Sequence, residues 1–134
     1  MLEIIFIMLV MTQTKHLVAD YYLQFPYMYE NKGKENNWIR PLVDHSIVHS
    51  TGTAILIGIY SFFVERVGFE IMIGLILFDF TTHFITDRWK ATRKTDPSQS
   101  WFWESLGIDQ MIHHIVGIII IYILITQGGL YAWI

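Results

Sequence analysis

Four apolar runs follow one another along the chain, and each is polar at one end only. The first spans residues 3–24: it opens on Ile4-Ile5-Phe6-Ile7-Met8-Leu9-Val10-Met11 and closes on Lys15, His16, Asp20 and Gln24. The second, 42–64, reverses the order, with Asp44, His45 and His49 ahead of Ala54-Ile55-Leu56-Ile57. The third, 69–88, ends on Asp79, His83 and Asp87, and the fourth, 108–127, begins on Asp109, Gln110, His113 and His114. About 20 mostly apolar residues suffice to cross a bilayer as a helix. The pattern therefore predicts four membrane-spanning helices joined by a turn at 65–68 and two longer loops, 25–41 and 89–107.

Short connections place successive helices antiparallel, so the polar ends of all four fall at one membrane face. The expected fold is an all-α, integral membrane four-helix bundle. Basic residues orient it. Lys15, Lys32, Lys34, Arg40, Arg88, Lys90, Arg93 and Lys94 lie on the polar side and Arg66 alone on the other. By the positive-inside rule, loops 25–41 and 89–107 face the cytoplasm of a bacterial inner membrane and both termini lie outside. Tyr21, Tyr22, Tyr27, Tyr29, Trp38, Trp89, Trp101 and Trp103 suit an inner aromatic belt, with Tyr131 and Trp133 at the outer one. The first run has neither a basic start nor a small-residue cleavage site, so it is expected to stay as a helix.

Composition agrees with a bilayer as the partner. The 134 residues are 53% hydrophobic and only 16% charged, and the net charge of −3 argues against nucleic acid. The chain has no cysteine, which excludes disulfides and thiolate metal sites.

The candidate chemistry lies in the spacing. Residues four apart share a helix face, so Asp79, His83 and Asp87 form one file, and His16-x-x-x-Asp20-x-x-x-Gln24 another. His45-x-x-x-His49 and Asp109-x-x-x-His113 repeat the step. His113 and His114 stand about 100° apart, so one of them faces inward. Ionisable residues in an apolar span are costly and mark function by default. For Lys15 and Asp44 a structural reading is equally open, by snorkelling and by helix N-capping; Asp109 after Gly107 could cap its helix likewise.

The motifs recur. His16-x-x-x-Asp20 matches His83-x-x-x-Asp87, and Asp44-His45-x-x-x-His49 matches Asp109-Gln110-x-x-x-His114, at offsets of 28 (44−16) and 26 (109−83). Two similar helical hairpins around a shared centre are expected.

Histidines and carboxylates presented from several helices hold Zn, Mn or Fe in helical bundles. The expected ligands are His16, His45, His49 and His83, with Asp20, Asp79 or Asp87 completing the sphere and Asp109, His113 or His114 added from the fourth helix. A carboxylate left off the metal would be the general base. Lys90, with Arg93 and Lys94, would suit an anionic substrate such as a lipid head group. The expected activity is metal-dependent hydrolysis of an ester or phosphoester, for instance on a lipid-linked substrate. The alternatives are proton or cation translocation, axial ligation of haem, and a membrane effector whose polar network staples the bundle or a homo-oligomer.

At these residues the chain resembles a bacterial and phage membrane family catalogued as domain of unknown function 3307. The resemblance rests on His16-x-x-x-Asp20-x-x-Leu23-Gln24, His45-x-x-x-His49, Asp79-x-x-x-His83-x-x-x-Asp87-x-x-Lys90 and Asp109-Gln110-x-x-His113, and covers nearly the whole chain. It implies a polytopic membrane protein and brings no activity with it. In residue types alone, the chain is also similar to inner-membrane proteins described as membrane-bound metal-dependent hydrolases, from which no catalytic role carries over.

Overall fold

A computed structural model describes residues 2–93 and 96–131, with 128–131 as helical backbone only. Lys94, Trp133 and the side chain of Tyr131 lie outside the described residues. Five helices follow in order: α1 (Leu2–Leu17), α2 (Pro26–Asn31), α3 (Ile39–Phe63), α4 (Phe69–Thr92) and α5 (Ser100–Tyr131). α1 continues into a wider turn of π-helix over Val18–Tyr22, closed by Leu23 N–H donating to the Val18 carbonyl at 3.0 Å. Among the described residues there is no strand, and four helices are long and apolar enough to cross a membrane: Leu2–Tyr22, Ile39–Phe63, Phe69–Thr92 and Ser100–Gln127. α3 packs along α4, α4 against α5, and α1 against both α3 and α5, which closes a four-helix bundle.

The helices begin where local chemistry allows. Pro26 opens α2 and Pro41 sits in the first turn of α3, positions where the missing N–H costs nothing. α5 starts at Ser100, ahead of the apolar run. Asp96 prepares it by accepting the Ser98 N–H at 2.8 Å, while the Trp103 indole donates to the Pro97 carbonyl at 2.9 Å. Asp109 therefore lies well inside α5 and Asp44 inside the second turn of α3, so neither caps a helix.

One half of the bundle is dry. Met8, Leu56, Ile57, Tyr60, Leu75, Val116, Ile120, Ile121 and Leu124 form its buried core. In lipid such a core holds by close packing rather than by hydrophobic transfer, which favours small residues at helix contacts. α1 comes close in two places: a Cβ on Gly117 would lie 2.5 Å from Thr12 Cγ2, and one on Gly52 would lie 2.6 Å from Lys15 Cγ. The large apolar side chains left exposed, among them Phe6, Ile55, Phe62, Leu77 and Ile118, suit contact with acyl chains.

Candidate metal centre

The other half of the bundle is polar and buried. His16 and Asp20 come from α1 and its π-helical turn, His45 and His49 from α3, Asp79, His83 and Asp87 from α4, and Asp109 and His113 from α5. His45, His49, Asp79, His83 and Asp109 are each no more than 1% exposed.

Imidazole rings occupy the middle. His49 stacks on His83 with centroids 3.8 Å apart, and His83 on His113 at 4.0 Å. His45 meets the edge of His49 at 4.7 Å, and His16 lies 5.2 Å from His49 and 5.3 Å from His113. Of the adjacent pair, His113 turns to the aspartates while His114 sits partly exposed on the flank, its ring 5.7 Å from that of His16.

Aspartates surround the rings. Asp20 receives three of them: its Oδ1 lies 3.0 Å from His49 Nε2 and 3.4 Å from His45 Nε2, and its Oδ2 lies 3.2 Å from His16 Nε2. His45 Nε2 also reaches Asp87 Oδ2 at 2.9 Å. His113 Nε2 lies 3.3 Å from Oδ1 of both Asp87 and Asp109. His83 Nδ1 lies 3.3 Å from Asp79 Oδ1 and 3.0 Å from the Asp79 carbonyl oxygen. A carbonyl only accepts, so His83 carries its proton on Nδ1 and a lone pair on Nε2.

The result is a repeated arrangement. His45, His49, His83 and His113 each present one nitrogen to an aspartate and leave the other buried without a hydrogen-bond partner: Nδ1 of His45, His49 and His113, and Nε2 of His83. Carboxylates orient metal-binding imidazoles through the nitrogen that the metal does not take. Among the described residues, three sets of side chains have ligand atoms all within 4.8 Å of one another: His16, His49 and His83; Asp20, His45 and His49; and Asp87, Asp109 and His113.

Three lysines neutralise three of the four aspartates. Lys15 Nζ lies 3.1 Å from Asp79 Oδ2 and donates to Thr53 Oγ1 at 3.0 Å, while the Thr53 hydroxyl donates to the same carboxylate oxygen at 2.7 Å. Lys32 Nζ lies 2.8 Å from Asp87 Oδ2, and Lys90 pairs with Asp109 Oδ2. Asp20 has no lysine partner among the described residues.

Sequence spacing did not reveal Lys32, which belongs to the loop after α2. The loop is bound down by Arg88 of α4, which donates to the carbonyls of Lys32 at 2.7 Å and Lys34 at 3.0 Å and lies 4.0 Å over the Trp38 ring. Gly33 permits this approach, since a Cβ there would lie 2.5 Å from the Ala91 carbonyl oxygen. In the sequence Lys32 is one of two lysines, with Lys34, between Pro26 and Trp38, and nothing there singles it out.

Two expectations of the repeat are corrected. Asp44 does not match Asp109: it accepts the Tyr27 hydroxyl at 2.9 Å at the edge of the bundle, because six residues into α3 its face turns away from the centre. His113, not His114, takes the role of His49, since His49 meets Asp20 as His113 meets Asp87. The matching pairs are thus His45-x-x-x-His49 and Asp109-x-x-x-His113, at offsets from His16 and His83 of 29 (45−16) and 26 (109−83). Arg93 lies away from the centre, over the Trp89 ring at 4.6 Å.

A four-helix bundle with the makings of a membrane span on each long helix and a buried histidine–aspartate centre defines an integral membrane protein. The chain matches the family described as "Protein of unknown function (DUF3307)" over residues 4–132, and it belongs to that family. No curated protein and no solved structure matches it.

Proposed function

We propose that this protein binds a divalent metal ion in its histidine centre and uses it to hydrolyse an ester or phosphoester at the membrane. The supporting observation is the set of four buried imidazoles, each held by an aspartate through one nitrogen and bare at the other. An unpaired buried polar atom costs about 1–3 kcal/mol, and an ion between His49 and His83 relieves two of them at once. His16, His49 and His83 are the proposed ligands: Asp20 backs the first two and Asp79 the third. Three protein ligands leave a coordination position open, as catalytic zinc sites do.

When bound, the ion supplies a Lewis acid that makes water acidic near neutral pH. Lys15 and Thr53 hold Asp79 in its orienting role. Asp20, the aspartate without a lysine, is the proposed general base: it takes the proton of the attacking water and returns it to the oxygen of the leaving alcohol. The eight basic residues on the polar side against one opposite support a cytoplasmic centre in a bacterial inner membrane.

Proton or cation translocation draws support from the stacked His49, His83 and His113 rings, but a path would have to continue through the apolar core around Leu56, Ile57, Ile120 and Leu124.

Elemental analysis of the detergent-purified protein tests the metal. Near-stoichiometric Zn, Mn or Fe is expected, lost in a His49→Ala, His83→Ala double variant that keeps its helical circular dichroism. Metal retained by that variant, or no metal in the parent protein, overturns the centre; a metal-loaded protein inert towards chromogenic phosphoesters and esters overturns the hydrolase.

A further inference from the structure

α1 and α3 leave a groove between them along the side of the bundle. Its volume is about 500 Å³, within the roughly 300–1,000 Å³ of ligand sites. One wall runs from Val10 to Leu23 and the other, antiparallel to it, from Ile47 to Ile59. Both lie along helices with the makings of membrane spans, Leu2–Tyr22 and Ile39–Phe63, so acyl chains are the solvent that the groove meets. At 1.5 Å per residue the walls are about 18–20 Å long, close to the roughly 15 Å of hydrocarbon in one leaflet.

The lining is carbon. Val18, Ala19, Val48 and Ile55 present apolar side chains to it. The Lys15 stem lies over Gly52 while its ammonium is committed inward to Asp79 and Thr53, and the Thr14 hydroxyl donates to the Val10 carbonyl at 2.9 Å. The walls therefore suit an extended hydrocarbon chain rather than a head group.

The mouth of the groove adjoins the histidine centre. Val18 and Ala19 stand in the same π-helical turn as Asp20, and Val48 precedes His49 on α3; the Asp20–His49 contact at 3.0 Å crosses the same seam. Such turns recur at functional sites. The Asp20 side chain is 17% exposed, against 1% for Asp79, 3% for Asp87 and 0% for Asp109. A smaller groove of about 360 Å³ between α4 and α5 reaches only to Phe78, beside the sealed Asp79.

We infer that the groove between α1 and α3 binds the acyl chain of a membrane glycerolipid and so brings the carboxylic ester at the head of that chain to Asp20. The inference rests on the hydrolase reading above and narrows its substrate. With the chain lying between Val10 and Ala19, the linkage level with Asp20 is the ester that joins it to glycerol, and the phosphodiester lies further out, beyond Leu23. Water adds to the ester carbon, Asp20 carries its proton to the glycerol oxygen, and the bond to that oxygen breaks. The products are a fatty acid and a lysolipid.

Phosphatidylglycerol with a diazirine in its acyl chain tests the site on the full chain in detergent, with the photolabel mapped by peptide mass spectrometry. Label should concentrate on residues 10–23 and 47–59. Thr51→Trp fills the groove from an exposed position and should raise the half-saturating probe concentration roughly tenfold, as about 1.4 kcal/mol of lost binding does. Ile55→Trp, also at an exposed position, serves if Thr51→Trp does not fold. Gly74→Trp adds bulk to the groove between α4 and α5 and should leave the labelling unchanged. Chelator-treated protein should label like metal-loaded protein. Metal-loaded protein should release fatty acid from the ester lipid and none from its ether-chain analogue, which still competes for the label.

Label spread evenly over the lipid-facing helices, or folded Thr51→Trp and Ile55→Trp variants that label like the parent, overturns the groove. So does an Ile55→Cys variant that forms disulfide dimers, which makes a second copy of the chain the occupant. Release of diacylglycerol in place of fatty acid overturns the ester. Labelling as expected in a protein that holds no metal supports the lipid site and overturns the hydrolase reading alone.

Discussion

Lys32 and Asp87, 55 residues apart, meet at 2.8 Å with both side chains buried. Removing one partner of a buried ion pair strands the other charge, at a cost of about 3–5 kcal/mol, whereas removing both is far milder. Lys32→Met should therefore destabilise the bundle by about that amount, and Lys32→Met with Asp87→Asn should recover more than half of the loss. Reversible unfolding in mixed micelles measures the cycle; a double variant no more stable than Lys32→Met alone would contradict the pairing.

Close packing of α1 predicts opposite signs at two glycines. Gly117→Ala drives a methyl against the branched Thr12 side chain and should cost about 1–3 kcal/mol. Gly58 has open space around its Cβ direction, so Gly58→Ala should be neutral or stabilise α3 by up to about 1 kcal/mol. The same unfolding assay compares them.

Asp20 accepts from His16 and His49 together. In Asp20→Asn both rings lose their charged support, and affinity for the ion of the histidine centre should fall by roughly 10–100-fold. Competition against a chromophoric chelator reads this directly. Unchanged affinity would show that the rings are positioned by packing alone.

Orientation is open to labelling because the chain has no cysteine of its own. A single cysteine at Asn36 should be shielded from an impermeant maleimide in intact cells and react after lysis. One at Glu65, in the turn between α3 and α4, should react in intact cells. The reverse pattern would place the centre on the outer side.

Helical periodicity made much of this site legible. The steps of four at His16, His45, Asp79, His83 and Asp109 each place a second polar group on the same face, and all these faces turn inward. Asp44 shows the limit. A polar residue next to a site histidine looks equivalent in sequence, yet about 100° of helix rotation sends it to Tyr27 instead. Lys32 was illegible for a different reason: its position depends on Arg88 gripping two loop carbonyls, a contact made across 56 and 54 residues that no local pattern records. The π-helical turn at Val18–Tyr22 likewise has no periodic signature in the sequence.

The lysine–aspartate pairs also bear on how the chain enters a bilayer. Lys15 and Lys32 belong to the first helical hairpin, and their partners Asp79 and Asp87 to the second. Synthesis delivers the first hairpin alone, with two cations whose counter-charges have yet to leave the ribosome. Arrival of α4 neutralises both within two helical turns. Neither hairpin is electrically complete without the other, so insertion of the first half stays provisional until the second is made.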